Sequence, residues 1–310
     1  MYRFVIKRIL LTLLILLGVS IIIFFILNLT PSDPGRLILG QMAEQSAVDQ
    51  LNHDLGYDRP SLIRYFDYIK NLVFNFDLGT SYRTGQPVMD EVMLRFPTTL
   101  KLAFWSLLFS SIIGIGIGII SAVKQYSAVD TISSVAAMFF SAMPTFWVGL
   151  MLILLFSVKL GWLPSGGTGT WESFILPVTT LTLAISAGIM RLTRSAMLDT
   201  IRSSYVTTAK AKGASLKDII FKHELRNAIL PISTIIGLQF GAMLGGSMIV
   251  ESVFSINGVG YYMLSAIRAK DIPVVMGCAL FVAALFSIIM LIVDVVQGLM
   301  DPRVKARYSA

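Results

Sequence analysis

The run Ile9-Leu-Leu-Thr-Leu-Leu-Ile-Leu-Leu-Gly18-Val-Ser-Ile-Ile-Ile-Phe-Phe-Ile-Leu-Asn-Leu29 contains no charged residue. A helix that crosses ~30 Å of hydrocarbon needs roughly 20 apolar residues, and this run supplies them. Arg3, Lys7 and Arg8 precede it. A secretory signal has the same basic start, but its apolar core is only about 7–15 residues long. The following Thr30-Pro31-Ser32-Asp33-Pro34 offers no small-residue cleavage site. The stretch therefore predicts a retained first membrane span with a cytoplasmic N-terminus.

Working outward, five more apolar runs predict spans at Leu100–Val123, Ser133–Val158, Phe174–Met190, Ala228–Val250 and Ile272–Val293, the fourth being the least apolar. Backbone groups in lipid must be satisfied within the segment, so these are helices. The dyad alternation of a barrel strand is absent. The expected fold is an all-α membrane protein of six transmembrane helices. Its parts are 1–29 (N-terminus and first span), 30–97 (an outer loop with short amphipathic helices), 98–300 (a five-helix core with a cytoplasmic loop at 191–227) and the tail 301–310.

Composition agrees. Of 310 residues, 55% are apolar and 14% charged, against about 25% charged in soluble domains, and mean hydropathy is +0.76. The 19 Phe and long aliphatic runs exclude disorder. Cys278 is the single cysteine, so no internal disulfide forms. With only His53 and His223 beside it, no zinc or haem ligand set is expected from these residue types.

Lys and Arg in short loops orient the spans. The segment from Arg191 to Asn227 carries Arg191, Arg194, Arg202, Lys210, Lys212, Lys217, Lys222 and Arg226 against Asp199, Asp218 and Glu224. With six spans it shares a side with the basic N-terminus and with Arg303, Lys305 and Arg307, and that side is cytoplasmic. Both termini are then cytoplasmic. The long loop from Thr30 to Pro97 has more acids than bases, which suits the outside.

That outer loop carries helical signals. Asp58-Arg59-Pro60 reads as a helix start, and Leu62, Ile63, Phe66, Ile69, Leu72 and Val73 follow at helical spacing. Val48, Leu51 and Leu55 suggest another helix. Val88, Val92, Met93 and Phe96 suggest a third, just before the second span. Gly237, Gly241 and Gly245 repeat every fourth residue, a spacing that lets helices approach closely in lipid. Gly114-Ile-Gly116-Ile-Gly118 lies within a span and is no nucleotide fingerprint. Pro144 and Pro177 are expected to kink the third and fourth spans.

Parts for chemistry are missing. The sequence has no G-x-x-x-x-G-K-[ST], G-x-S-x-G, H-E-x-x-H or C-x-x-C. Asp294 abuts the sixth span. An intramembrane carboxylate is a functional candidate, but pairing with a nearby arginine is the simpler reading. A pathway without its own engine implies an energy source in another subunit.

The cytoplasmic loop reads Tyr205-Val-Thr-Thr-Ala-Lys-Ala-Lys-Gly213-Ala-Ser-Leu-Lys-Asp-Ile-Ile-Phe-Lys-His223-Glu-Leu-Arg226-Asn227-Ala-Ile-Leu-Pro231. Gly213 suits the end of one helix. Ser215, with Asp218 three residues on, suits the start of the next. The loop is expected to be a helix–turn–helix elbow that leads into the fifth span and docks on a cytoplasmic partner.

Here the sequence resembles the inner-membrane permease subunit of ABC importers, in its dipeptide/oligopeptide/nickel branch. Thr208-Ala209-Lys210-Ala211-Lys212-Gly213 and His223-Glu224-Leu225-Arg226-Asn227-Ala228 carry the branch pattern. The family's generic Glu-Ala-Ala and Ile-x-Leu-Pro forms are not met, since Thr207, Thr208, His223 and Arg226 stand in their places. The resemblance extends through Pro31-Ser32-Asp33-Pro34, Leu55 to Pro60, Asp77 to Ser81, Pro87-Val88, Gly161 to Pro164, Arg191-Leu192-Thr193-Arg194, Glu251 to Ser255, Gly258-Val259-Gly260 and Asp301-Pro302-Arg303.

The resemblance implies a type I ABC importer permease fold in a bacterial or archaeal cytoplasmic membrane. It implies the first permease chain of a heterodimeric pair, two cytoplasmic ATPases that hold ATP and Mg, and an extracytoplasmic solute-binding protein. Tyr205 through Leu216 would be the coupling helix, with Tyr205, Thr208, Ala209, Lys210, Ala211, Lys212, Gly213, Ala214, Ser215 and Leu216 at the ATPase. His223, Arg226 and Asn227 would anchor the loop to the membrane domain. Peptides are the expected solute on the breadth of the branch, with nickel complexes, glutathione or other small solutes as alternatives; the lone His53 does not favour nickel. A secondary carrier and a scaffold for a membrane complex are the readings from other classes. Scarce intramembrane charge argues against the first, and the loop pattern against the second.

Overall fold

The structure, a computed structural model, describes residues 2–29 and 33–300. Pro31, Ser32 and the tail 301–310, with Arg303, Lys305 and Arg307, lie outside the described residues. The helices are α1 (Tyr2–Leu29), α2 (Pro34–Leu39), α3 (Gln45–Asp54), α4 (Ser61–Asn75), α5 (Val88–Val123), α6 (Ala128–Ala142), α7 (Thr145–Leu152, continued by a π turn Ile153–Lys159), α8 (Ile175–Ile201), α9 (Ser204–Ala211), α10 (Leu216–Asp218, continued by a π turn Ile219–Glu224), α11 (Leu225–Gly246), α12 (Met248–Val253), α13 (Val259–Ala269) and α14 (Ile272–Met300). Among the described residues no β-strand forms.

Five helices are long and apolar enough to cross a membrane, or up to 6 when the bent pair α6–α7 counts as one span. The most extensive pairing is α5 with α8, then α11 with α14, while α1 packs outside against α14 and α4. Leu102, Ile189, Leu244 and Phe254 fill the centre. Outward-facing Leu10, Leu14 and Ile22 on α1 are exposed, as expected where lipid is the solvent.

Small residues set the helix spacing. A Cβ on Gly114 would lie 2.8 Å from the Ile189 side chain, and one on Gly118 would lie 2.6 Å from Thr193 and 2.8 Å from the Met190 carbonyl oxygen. Gly237, Gly241 and Gly245 face Val293, Phe286 and Val282 of α14 in the same way. The four-residue stripe therefore packs against this chain. Gly116 has nothing within 4 Å. Gly118→Leu is expected to destabilise by about 1–3 kcal/mol through overpacking, and Gly116→Leu to be near neutral. Thermal unfolding of the two variants in detergent checks this; equal melting temperatures would contradict the close packing of α5 on α8.

Of the two expected kinks, the one at Pro144 forms: α6 and α7 meet at 99°, because Met143 and Pro144 leave helical geometry and Pro144 cannot continue the helix. Pro177 makes no kink. It lies in the first turn of α8, where its missing N–H has no intrahelical duty. The amphipathic stretch at Val88 to Phe96 is no separate helix but the start of α5, which continues through Pro97.

Asp294 takes the simpler role, since it pairs with Arg8 of α1. The outer end is tied by two buried carboxylates. Glu251 accepts bonds from Thr99 Oγ1 (2.9 Å), Ser247 Oγ (2.8 Å) and the Tyr261 N–H (2.8 Å). Asp271 accepts from Ser81 Oγ (2.6 Å), the Tyr82 N–H (3.2 Å) and the Arg83 N–H (3.3 Å).

Candidate functional site

The basic segment folds as a capped elbow. At the end of α9 the Gly213 N–H donates to the Lys210 carbonyl at 3.0 Å, and the Ala214 N–H to the Ala209 carbonyl at 3.2 Å. This pair of bonds is the Schellman termination, which needs a left-handed residue after the cap. Gly213 supplies it with φ +78° and open space around its Cα. Ser215 then caps α10: its Oγ accepts the Asp218 N–H at 3.1 Å and donates to the Asp218 carboxylate at 2.7 Å. α10, its π turn and α11 continue as one helix from Leu216 into the membrane. The helix that carries the fifth span thus begins at Leu216, and the apolar run from Ala228 lies within it.

Two faces of the elbow differ. Val206, Ala209 and Ile219 are buried and seat it on the chain. Ile220, Leu225 and Ile229 continue that seat onto a cluster of Ala122, Met197, Ala228 and Ile232. The elbow therefore rests on the inner ends of α5, α8 and α11. Tyr205, Thr208, Lys210, Ala211, Lys212, Gly213, Ser215 and Leu216 are exposed, and Ala214 is half-buried. Tyr205 and Leu216 are apolar side chains left open at 42% and 67%.

Ala209 departs from its expected place on the docking face, because the spacing from Val206 turns it inward. The expected tether also differs. Asn227 donates to the His223 carbonyl at 2.7 Å within its own helix, His223 is half-buried, and Arg226 is exposed without an ion pair among the described residues. Apolar contact, not these polar side chains, seats the elbow.

A buried ion pair beside the elbow was not legible in the sequence. Arg194 of α8 donates from Nε to Asp130 Oδ1 at 2.6 Å and from Nη2 to Oδ2 at 2.8 Å. Asp130, in the first turn of α6, also accepts from Ser121 Oγ at 2.5 Å and from the Tyr126 N–H at 3.0 Å. Asp130 follows the N-cap Ser127, a position that reads simply as helix-start chemistry. Its partner lies 64 residues away, so no local signal announces the pair. It joins the inner ends of α5, α6 and α8, and α8 leads directly into the elbow.

A bundle of spans carrying a capped elbow on its basic face defines a multi-pass permease subunit. Two family descriptions match the chain: "Binding-protein-dependent transport system inner membrane component" over residues 114–306 and the corresponding N-terminal domain over residues 1–103. The dipeptide transport system permease protein DppB of Alkalihalophilus pseudofirmus is 38% identical over 333 residues, covering 98% of this chain and 100% of that protein. The glutathione transport system permease protein GsiC of Escherichia coli strain K12 is 38% identical over 305 residues, covering 98% and 99%. Among solved structures, an inward-facing MetNI methionine ABC transporter chain aligns with a TM-score of 0.56 at 19% identity, covering 69% of this chain and 97% of that one. A chain of an amino acid ABC transporter crystallised with histidines aligns at 0.52 and 18%, covering 69% and 94%. Both show the shared fold. The chain belongs to the family of inner-membrane components of binding-protein-dependent transport systems, and it is a multi-pass inner-membrane protein.

Proposed function

We infer that this chain forms half of the pathway of an ATP-driven importer of di- and oligopeptides. A second homologous permease chain would form the other half. Two cytoplasmic subunits would bind ATP and Mg, and an extracytoplasmic binding protein would deliver the solute. The observation that carries this reading is the elbow: rigidly capped, seated on three span ends, with an outer face open to a partner. ATP-driven movement of that partner would shift the elbow, and the seat would pass the shift to α5, α8 and α11. The bent α6–α7 hairpin, tied to α8 through Asp130 and Arg194, would move with them. Such a bistable element is what coupling between two sites requires. The peptide assignment is supported by the relatives named for dipeptide and glutathione transport.

Deletion of the gene in its host, followed by uptake of labelled dipeptide, hexapeptide, glutathione and nickel, tests the reading. Loss of dipeptide or glutathione uptake with nickel uptake intact, restored by the intact gene, is the expected result. Loss of nickel uptake alone would overturn the peptide assignment.

A further inference from the structure

At the end of the bundle opposite the elbow, two adjoining cavities open beside α13. The inner one is about 170 Å³ and the outer about 530 Å³, and they share Arg83, Tyr261, Ser265 and Ala269. The outer cavity also takes in Arg268 and has no acidic residue in its lining. The guanidinium groups of Arg83 and Arg268 make no hydrogen bond or ion pair with the described residues.

The neighbouring charges are already committed. Arg95 pairs with Glu91 at 2.6 Å, bonds Asn257 Oδ1 at 3.1 Å and lies 4.2 Å from the Tyr262 ring centroid. Asp271, which also lines the inner cavity, is engaged by Ser81, Tyr82 and Arg83 as described, and so holds the backbone beneath Arg83. Two buried hydroxyls at the cavities lack partners: Tyr262, only 8% exposed, in the inner one and Ser252 in the outer. Buried hydroxyls rarely stay unpaired. Burial and the nearby Glu91 push the Tyr262 phenol up to about 12, so it adds no negative charge beside the cavities.

Two unpaired guanidinium forks, in an outer cavity whose lining has no acid and beside an Asp271 held by three donors, match a carboxylate and repel a metal cation. The volume lies within the range of small-molecule sites, roughly 300–1,000 Å³. We propose that this depression is a carboxylate-binding subsite at the outer mouth, in which Arg83 and Arg268 take the C-terminal carboxylate of an incoming peptide. The inference rests on the peptide reading for the identity of the solute, but on Arg83 and Arg268 for the carboxylate.

The test uses the assembled importer in lipid nanodiscs without its binding protein. Saturation-transfer NMR measures binding of alanyl-alanine and of its C-terminal amide. Arg83→Gln and Arg268→Gln, both at exposed positions, are each expected to weaken alanyl-alanine by about tenfold, as loss of one charge-assisted contact does. The amide should bind wild type at least that much more weakly. Equal binding of acid and amide, or unchanged affinity in the double arginine variant, would overturn the subsite. Weaker association of the binding protein in that variant, at unchanged dipeptide affinity, would also overturn it and make the arginines a docking patch. Uptake with the binding protein present is measured in parallel. No dipeptide uptake together with arginine-dependent binding of lactate would sink the peptide reading and leave the carboxylate site standing.

Discussion

Gly213→Pro is expected to reduce ATP-driven solute uptake in proteoliposomes by tenfold or more, and to abolish solute-stimulated ATP hydrolysis, while the chain still accumulates in the membrane. Proline fixes φ near −65°, whereas Gly213 requires +78°. It also deletes the N–H that donates to the Lys210 carbonyl, and it disfavours the helical conformation of the preceding residue, where Lys212 sits at φ −83°, ψ 5°. The elbow must then leave its seat. The apolar runs that insert, among them the one from Ala228, are unchanged in sequence, so insertion should survive. Gly213→Ala keeps the N–H and meets no neighbour. Its cost is left-handed strain alone, about 1–2 kcal/mol, and Gly213→Asn should cost less because asparagine tolerates that conformation. The order of coupled uptake is therefore glycine, asparagine, alanine, proline. Normal coupled transport in Gly213→Pro would mean that the elbow does not carry the coupling.

Asp130→Ala should cost about 3 kcal/mol, the low end for breaking a buried pair, because the Arg194 side chain keeps 26% exposure and some solvation. The variant leaves that guanidinium beneath α6 with no carboxylate, and it strands the Ser121 hydroxyl and the Tyr126 N–H. A lower melting temperature in detergent and reduced membrane abundance are the readouts. Replacing both members, Asp130→Leu with Arg194→Leu, should recover most of the stability, since an apolar pair avoids the desolvation penalty. If the double variant is as unstable as the single one, the local geometry and not the unpaired charge sets the cost. Recovered stability without recovered uptake would show that the tie between α6 and α8 also serves transport.

The elbow was legible because its determinants are local. A glycine that ends one helix and a serine that starts the next act over a few residues, and the structure places both caps as their spacing predicts. The glycine stripe of α11 was equally readable as packing, although only the fold shows that α14 is its partner. What the sequence left open depends on distant neighbours. Ala209 belongs to the loop pattern, yet it faces inward because α9 must bury Val206 on the same side. Arg226 and Asn227 look like polar tethers, yet apolar side chains seat the elbow.

The sequence by itself determined the solvent, the helical fold, the basic side and the capped elbow, because hydropathy, charge count and helix-end chemistry are properties of contiguous residues. Tertiary structure alone decided that Arg194 finds Asp130, that Arg8 finds Asp294, and that Arg83 and Arg268 line one cavity. Each of these outcomes depends on which helices pack against each other. A charge in a sequence carries no label for its partner until packing has excluded water around it.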